Sequence, residues 1–94
     1  MENYLPLACK NIIFRQEEEE ALLFNPDTGM IKVLNPTGVF TWKLCDGKHT
    51  RDDIISEILG NFEGEPREKI EQDVDKFLDE LKNNNLVNFI DVSG

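Results

Sequence analysis

Long apolar runs, clustered metal ligands and an excess of positive charge are all missing from this chain, and each absence removes a class of function. No apolar stretch approaches the roughly 18 residues of a membrane-crossing helix, and Met1 to Lys10 lacks the basic start and long apolar core of a signal peptide. The expectation is a cytoplasmic protein with no membrane partner. His49 is the single histidine, in a polar loop between Lys48 and Thr50, and Cys9 and Cys45 stand 36 positions apart with no C-x-x-C spacing. A zinc site needs three or four converging ligands and a disulfide framework needs more cysteines, so two reduced thiols, no metal and no cofactor are expected. Cys45 lies in the most apolar helical segment, where burial keeps a thiol inert.

The glycine patterns that cradle phosphates, G-x-G-x-x-G and G-x-x-x-x-G-K-[ST], are also absent. Basic residues number 10 against 19 acidic ones, and the deficit holds in both halves, 4 against 7 over 1–47 and 6 against 12 over 48–94. A surface of this sign repels polyphosphate along its length, which argues against nucleic acid. Glu17 to Glu20 lacks the alternation and glycine turn of a cation loop and reads as a solvated connection. The 94 residues supply one core and one domain, 1–94, with little chain left for a deep catalytic cleft. With no catalytic constellation, the expectation is that the protein is not an enzyme.

What is present is a hydrophobic content of 39%, enough for a packed core. Ile12 to Arg15 and Ala21 to Phe24 read as short strands, and Asn25-Pro26-Asp27-Thr28-Gly29 as the turn that leads into a third strand, Met30 to Leu34. In that strand Met30, Lys32 and Leu34 share one face and Ile31 and Val33 the other. At Asn35 the period lengthens: Asn35 caps a helix with Pro36 at its first position, Val39, Phe40, Trp42, Leu44 and Cys45 fill it, Thr41 and Lys43 form its narrow exposed face, and Gly47 ends it. Thr50-x-x-Asp53 is a capping box for a second helix through Ile54, Ile55, Ile58, Leu59 and Phe62. Pro66 opens the third and longest helix, with Ile70, Val74, Phe77, Leu78 and Leu81 as its apolar stripe and Asn83 to Asn85 as its stop; Leu86 to Val92 is an extended tail. The class is α+β: a three-stranded antiparallel sheet followed by three helices, in the order of a winged helix.

A winged-helix DNA-binding regulator is the alternative this order raises. Its third helix should then be basic, yet Glu65 to Lys82 holds seven acids against four bases, Arg67, Lys69, Lys76 and Lys82. A peptide is a better guest, because an edge strand of so small a sheet can accept an extended chain as a further strand. The same open edge could also pair two copies, so a homodimer is a second partner expectation.

The segment Leu34-Asn35-Pro36-Thr37-Gly38-Val39-Phe40-Thr41-Trp42-Lys43-Leu44-Cys45-Asp46-Gly47 resembles the signature of the coenzyme PQQ synthesis protein D family, L-N-x-T-[AG]-x-x-[IVF]-W-x-L-C-D-G, at nearly every position. The layout continues through Thr50, Ile54-Ile55, the acidic third helix and Leu86-Val87, so the likeness covers about 5–90. This resemblance implies a stand-alone recognition element for ribosomally made precursor peptides, with a small winged-helix-like fold. It implies that the leader of the precursor is held as an added strand against the third strand, in the cleft with the third helix. The core peptide is then presented to a modifying enzyme, often a radical SAM protein, as in PQQ biosynthesis. The expected peptide-binding residues are Met30, Ile31, Lys32, Val33 and Leu34, with Val74 and Leu78 in the groove and Arg67, Glu71 and Lys82 sorting guests by charge. Charge complementarity further predicts basic residues on the leader, or on the enzyme's docking face, near the third helix.

Overall fold

A computed structural model describes residues 4–18, 20–62 and 64–91, so Glu19 of the acidic run and Val92 of the expected tail lie outside the described residues. Along the chain run β1 (Tyr4–Ala8), β2 (Ile13–Gln16), β3 (Ala21–Asn25), β4 (Met30–Leu34), α1 (Pro36–Lys43), α2 (Arg51–Asn61), α3 (Arg67–Asn83) and β5 (Val87–Asp91). β2, β3 and β4 form an antiparallel sheet in that order, with the cross-strand rows Ile13–Phe24–Ile31 and Arg15–Leu22–Val33 on one face. The turn into β4 closes through a Gly29 amide donating to the Asn25 carbonyl, and Gly29 sits at φ +79, where a side chain would be strained.

The helix boundaries follow from local chemistry. The Asn35 side chain accepts from the Gly38 amide to start α1, and both halves of the Thr50/Asp53 capping box are formed at α2. Asn85, at φ 59, supplies the left-handed turn after α3. α3 carries the clearest amphipathic pattern of the three, with Ile70, Val74, Leu78 and Leu81 buried along one stripe. They pack with Leu23, Leu34, Trp42, Ile54, Ile55, Ile58, Leu86 and Val87 in one core.

The α+β class, the three-stranded antiparallel sheet and the three helices agree with the sequence reading, and three details differ. The chain's first and last described segments, β1 and β5, pair as a second, two-stranded sheet, so Leu86 onward is not a lone tail. On its other side β1 meets the segment after α1 through a Leu7–Asp46 bridge, where the Pro6 carbonyl accepts from the Gly47 amide at 3.0 Å. Helix α1 stops at Lys43, and Cys45 follows it rather than lying within it. Thr41, expected on the exposed face, is 2% exposed, and its hydroxyl donates to the Thr37 carbonyl, which satisfies the buried oxygen inside the helix.

Candidate functional site

β4 pairs with β3 alone among the described residues, so its other edge offers unpaired backbone N–H and C=O groups. β4 is continuous in sequence with the N-cap of α1, and from its core face Lys32 reaches across to α3. The two elements are tied by one contact: the Lys32 ammonium donates to Glu80 Oε2 at 2.7 Å and lies 5.6 Å from the centre of the Phe77 ring. Next to that tie opens a cleft of about 680 Å³ between the start of α1, the end of α2 and α3. Ile58, Phe62, Ile70, Val74 and Phe77 make its apolar part, while Lys69, Asp73, Lys76 and Glu80 stand along its α3 wall.

The cleft can therefore take an extended chain on one side and an apolar side chain below it. Its charges are close to balanced. Lys69 lies 3.6 Å from Asp73 and 3.7 Å from Glu65, and Lys32 neutralises Glu80, whose carboxyl is held below the usual carboxylate range first by that hydrogen bond and then by the ammonium's charge. The chain's excess of acids lies outside this cleft, among them Glu18 and Glu20 ahead of β3 and Asp53 and Glu57 on α2.

The expected groove residues separate into three groups. Met30 and Lys32 face the core side of β4, Leu34 is 1% exposed, and Ile31 and Val33 project from the opposite face. Val74 lies at the cleft floor, whereas Leu78 is 1% exposed and behind it, both within the core. Arg67, Glu71 and Lys82 lie on the other flank of α3. Glu71 is 3.5 Å from the Arg51 guanidinium of α2 and 3.9 Å from Arg67, and Lys82 sits 5.3 Å from the centre of the Phe89 ring on β5. Arg51 also makes a two-pronged pair with Asp75, which locks that flank of α3 against α2.

Lys69, Asp73, Lys76 and Glu80 are among the cleft residues that the sequence reading did not assign to the groove, and it placed Phe77 only in the apolar stripe. The apolar stripe of α3 identifies its core face but leaves its two flanks equivalent, and only Phe77 hints at the choice. With about 100° between successive residues, Phe77 widens the stripe toward Lys69, Asp73 and Glu80, and away from Glu71 and Lys82.

Among the described residues no cluster of three or more His, Cys, Asp or Glu side chains could hold a metal ion, and no helix is long and apolar enough to cross a membrane. Burial, followed by the nearby Asp46 charge, pushes the Cys45 thiol up to about 12.

Two solved structures share this architecture. TbiB1, solved in complex with the TbiA(beta) leader peptide, superposes with a TM-score of 0.75 at 22% identity, over 87% of this chain and 94% of that one. Lasso peptide synthetase B1, complexed with the leader peptide, gives a TM-score of 0.74 at 24% identity, over 89% of this chain and 98% of that one. At such identities the likeness establishes the fold. No curated protein matches the sequence. The sequence pattern described as coenzyme PQQ synthesis protein D (PqqD) matches residues 20–87, a span that runs from the start of β3 through α3 to the first residue of β5, and the chain belongs to that family.

Proposed function

We propose that this chain is a non-catalytic recognition element. It takes up the leader of a ribosomally made precursor peptide as an added strand on β4 and presents the core peptide to a modifying enzyme, of the radical SAM type that the family resemblance implies. The observation that carries this reading is the unpaired β4 edge, which Lys32 ties to the α3 wall of a cleft with an apolar floor and polar sides. Both structural neighbours were solved with leader peptides, which supports the same reading.

The division of labour follows from the geometry. Main-chain bonds along Met30–Leu34 supply sequence-independent affinity, each worth about 0.5–1.5 kcal/mol net. Selection comes from the apolar floor at Phe62, Ile70 and Phe77, which takes a guest side chain, and from the wall of Lys69, Asp73, Lys76 and Glu80, which meets its polar neighbours. In this reading Val74 supports the floor, and Arg67, Glu71 and Lys82 act, if at all, from outside the cleft. DNA reading has no comparable support, since α3 presents an acidic surface.

The test is calorimetric titration with the leader peptide encoded beside this chain, together with modification of the precursor by its enzyme with and without the chain. Binding tighter than about 1 mM, roughly −4 kcal/mol, and faster modification in its presence are expected. No binding at that level, or modification that ignores the chain, would overturn the proposal.

A further inference from the structure

Among the described residues nothing covers the outer face of the β2–β3–β4 sheet, which is apolar. Ile13, Ile31 and Val33, at 52%, 60% and 55%, are the most exposed large hydrophobic residues among those described. The cross-strand rows join them to Leu22 and Phe24, which are half-buried yet do not pack against the core. Arg15 is the one charged side chain in the two rows, and Glu17 Oε1 holds it at 3.1 Å. Beyond the ends of the strands stand exposed acids, Glu17, Glu18 and Glu20 at the β2–β3 turn and Asp27 at the β3–β4 turn. The patch is therefore apolar in the middle and negative at its rim.

Its size limits what can cover it. Three strands spaced about 4.8 Å apart and about 17 Å long give roughly 240 Å². A stable homodimer buries about 800 Å² on each partner, so this face suits a transient encounter, of the kind a carrier makes with an enzyme, better than a lasting pair of copies. A guest strand on β4 would change that surface. Its alternate side chains would continue the rows of Ile31 and Val33, and a four-stranded face would offer about 320 Å² with the leader as part of it.

We propose that the outer face of the β2–β3–β4 sheet is the docking surface for the peptide-modifying enzyme, and that a leader bound on β4 completes it. The enzyme then reads chain and leader as one surface, through an apolar patch of its own rimmed by lysine or arginine. This inference rests on the leader reading above. Coupling of this kind is reciprocal: leader and enzyme each raise the other's affinity for the chain by the same factor.

The probes are the purified modifying enzyme and the leader peptide encoded beside this chain. Ile13→Lys is the chief variant, because β2 lies two strands, about 10 Å, from the β4 edge and leaves the leader site untouched. Ile13→Thr keeps β propensity and shortens the apolar side chain, and circular dichroism checks that both variants fold. The expected result is that the leader raises enzyme affinity at least tenfold. Ile13→Lys lowers enzyme affinity at least tenfold, Ile13→Thr lowers it less, and both bind leader within about threefold of the parent chain. Enzyme binding unchanged in both variants would overturn the docking surface, and enzyme binding indifferent to leader would overturn the shared one. Sedimentation showing a dimer that Ile13→Lys dissolves would assign the face to a second copy instead. Failure of the leader to bind the parent chain would count against the leader reading, while the variants' enzyme affinities still decide the face.

Discussion

Replacing Phe77 by alanine, with Arg67→Ala as its control, distinguishes the two flanks of α3 as the guest-facing one. Phe77 lines the cleft, is half-buried, and carries the Lys32 ammonium above its ring. A phenylalanine buries about 200 Å² when fully enclosed, so a guest covering its exposed part, at most about a third, removes up to about 70 Å² from water. At about 25 cal/mol per Å² that contact contributes up to about 1.8 kcal/mol, a loss of roughly 20-fold in leader affinity for Phe77→Ala. The rest of the ring already packs on the core, so the variant also loses about 3 kcal/mol of stability, which a domain in the usual range of about 5–15 kcal/mol tolerates. Arg67, exposed and outside the cleft, should change leader affinity less than threefold when replaced by alanine. Calorimetry on both variants, after urea titration has shown them folded, gives the answer. Equal effects of the two substitutions, or an Arg67→Ala loss larger than that of Phe77→Ala, would refute the assignment of the guest to the β4 side of α3.

Other expectations concern the frame around the site. Trp42, 8% exposed at the heart of α1, should cost about 3–5 kcal/mol when replaced by alanine; a loss below about 1 kcal/mol in urea denaturation would mean that the ring is not a core element. Glu80 has its carboxyl depressed by Lys32, so the ion pair stabilises the fold above the unfolded value of about 4.3 and is lost as pH falls through the lower folded value. Glu80→Gln should therefore trail the parent chain near neutral pH by less than about 1 kcal/mol, since the Glu80 side chain is 41% exposed, and match it near pH 3; a gap that persists in acid would contradict the pair. Thiol titration should label the half-buried Cys9 well before Cys45, which is 3% exposed and pushed up to about 12; simultaneous labelling in the native state would place Cys45 outside the core.

Much of the architecture was legible because it is written locally. The Asn35-Pro36 start, the Thr50/Asp53 capping box, the Gly29 turn and the Asn85 stop each act within a few residues, and each forms as read. What the sequence hid depends on distant contacts. Tyr4–Ala8 and Val87–Asp91 pair across nearly the whole chain, and neither segment carries a signal that names its partner. Thr41 reads as polar and exposed, yet a local hydroxyl bond to the Thr37 carbonyl makes its burial cheap. The site was legible in part for the same reason. The alternation of Met30–Leu34 fixes which residues face the core and which face outward, but the side of α3 that meets β4 is set by Lys32 reaching Glu80, 48 positions away, and by Arg51 clamping Asp75 on the far flank. Periodicity orders residues around one helix; it does not say which neighbour each flank will meet.

The exposed outer face of the sheet gives this arrangement its second consequence. A strand that alternates as Ile31-Lys32-Val33 sends its charge inward to an ion pair and its hydrophobic groups outward to water, the reverse of a simple surface strand. Such an inversion fits a strand that works on both sides, receiving a guest at its edge and a partner on its face.

Strand addition on β4 is the central claim, and amide hydrogen exchange of the chain with and without the leader peptide tests it most directly. New protection is expected at alternate amides within Met30–Leu34, where free edge N–H groups acquire partners, together with chemical-shift changes along Lys69, Asp73, Phe77 and Glu80. Protection gained instead on β2 or on the β1–β5 pair, with β4 unchanged, would contradict it.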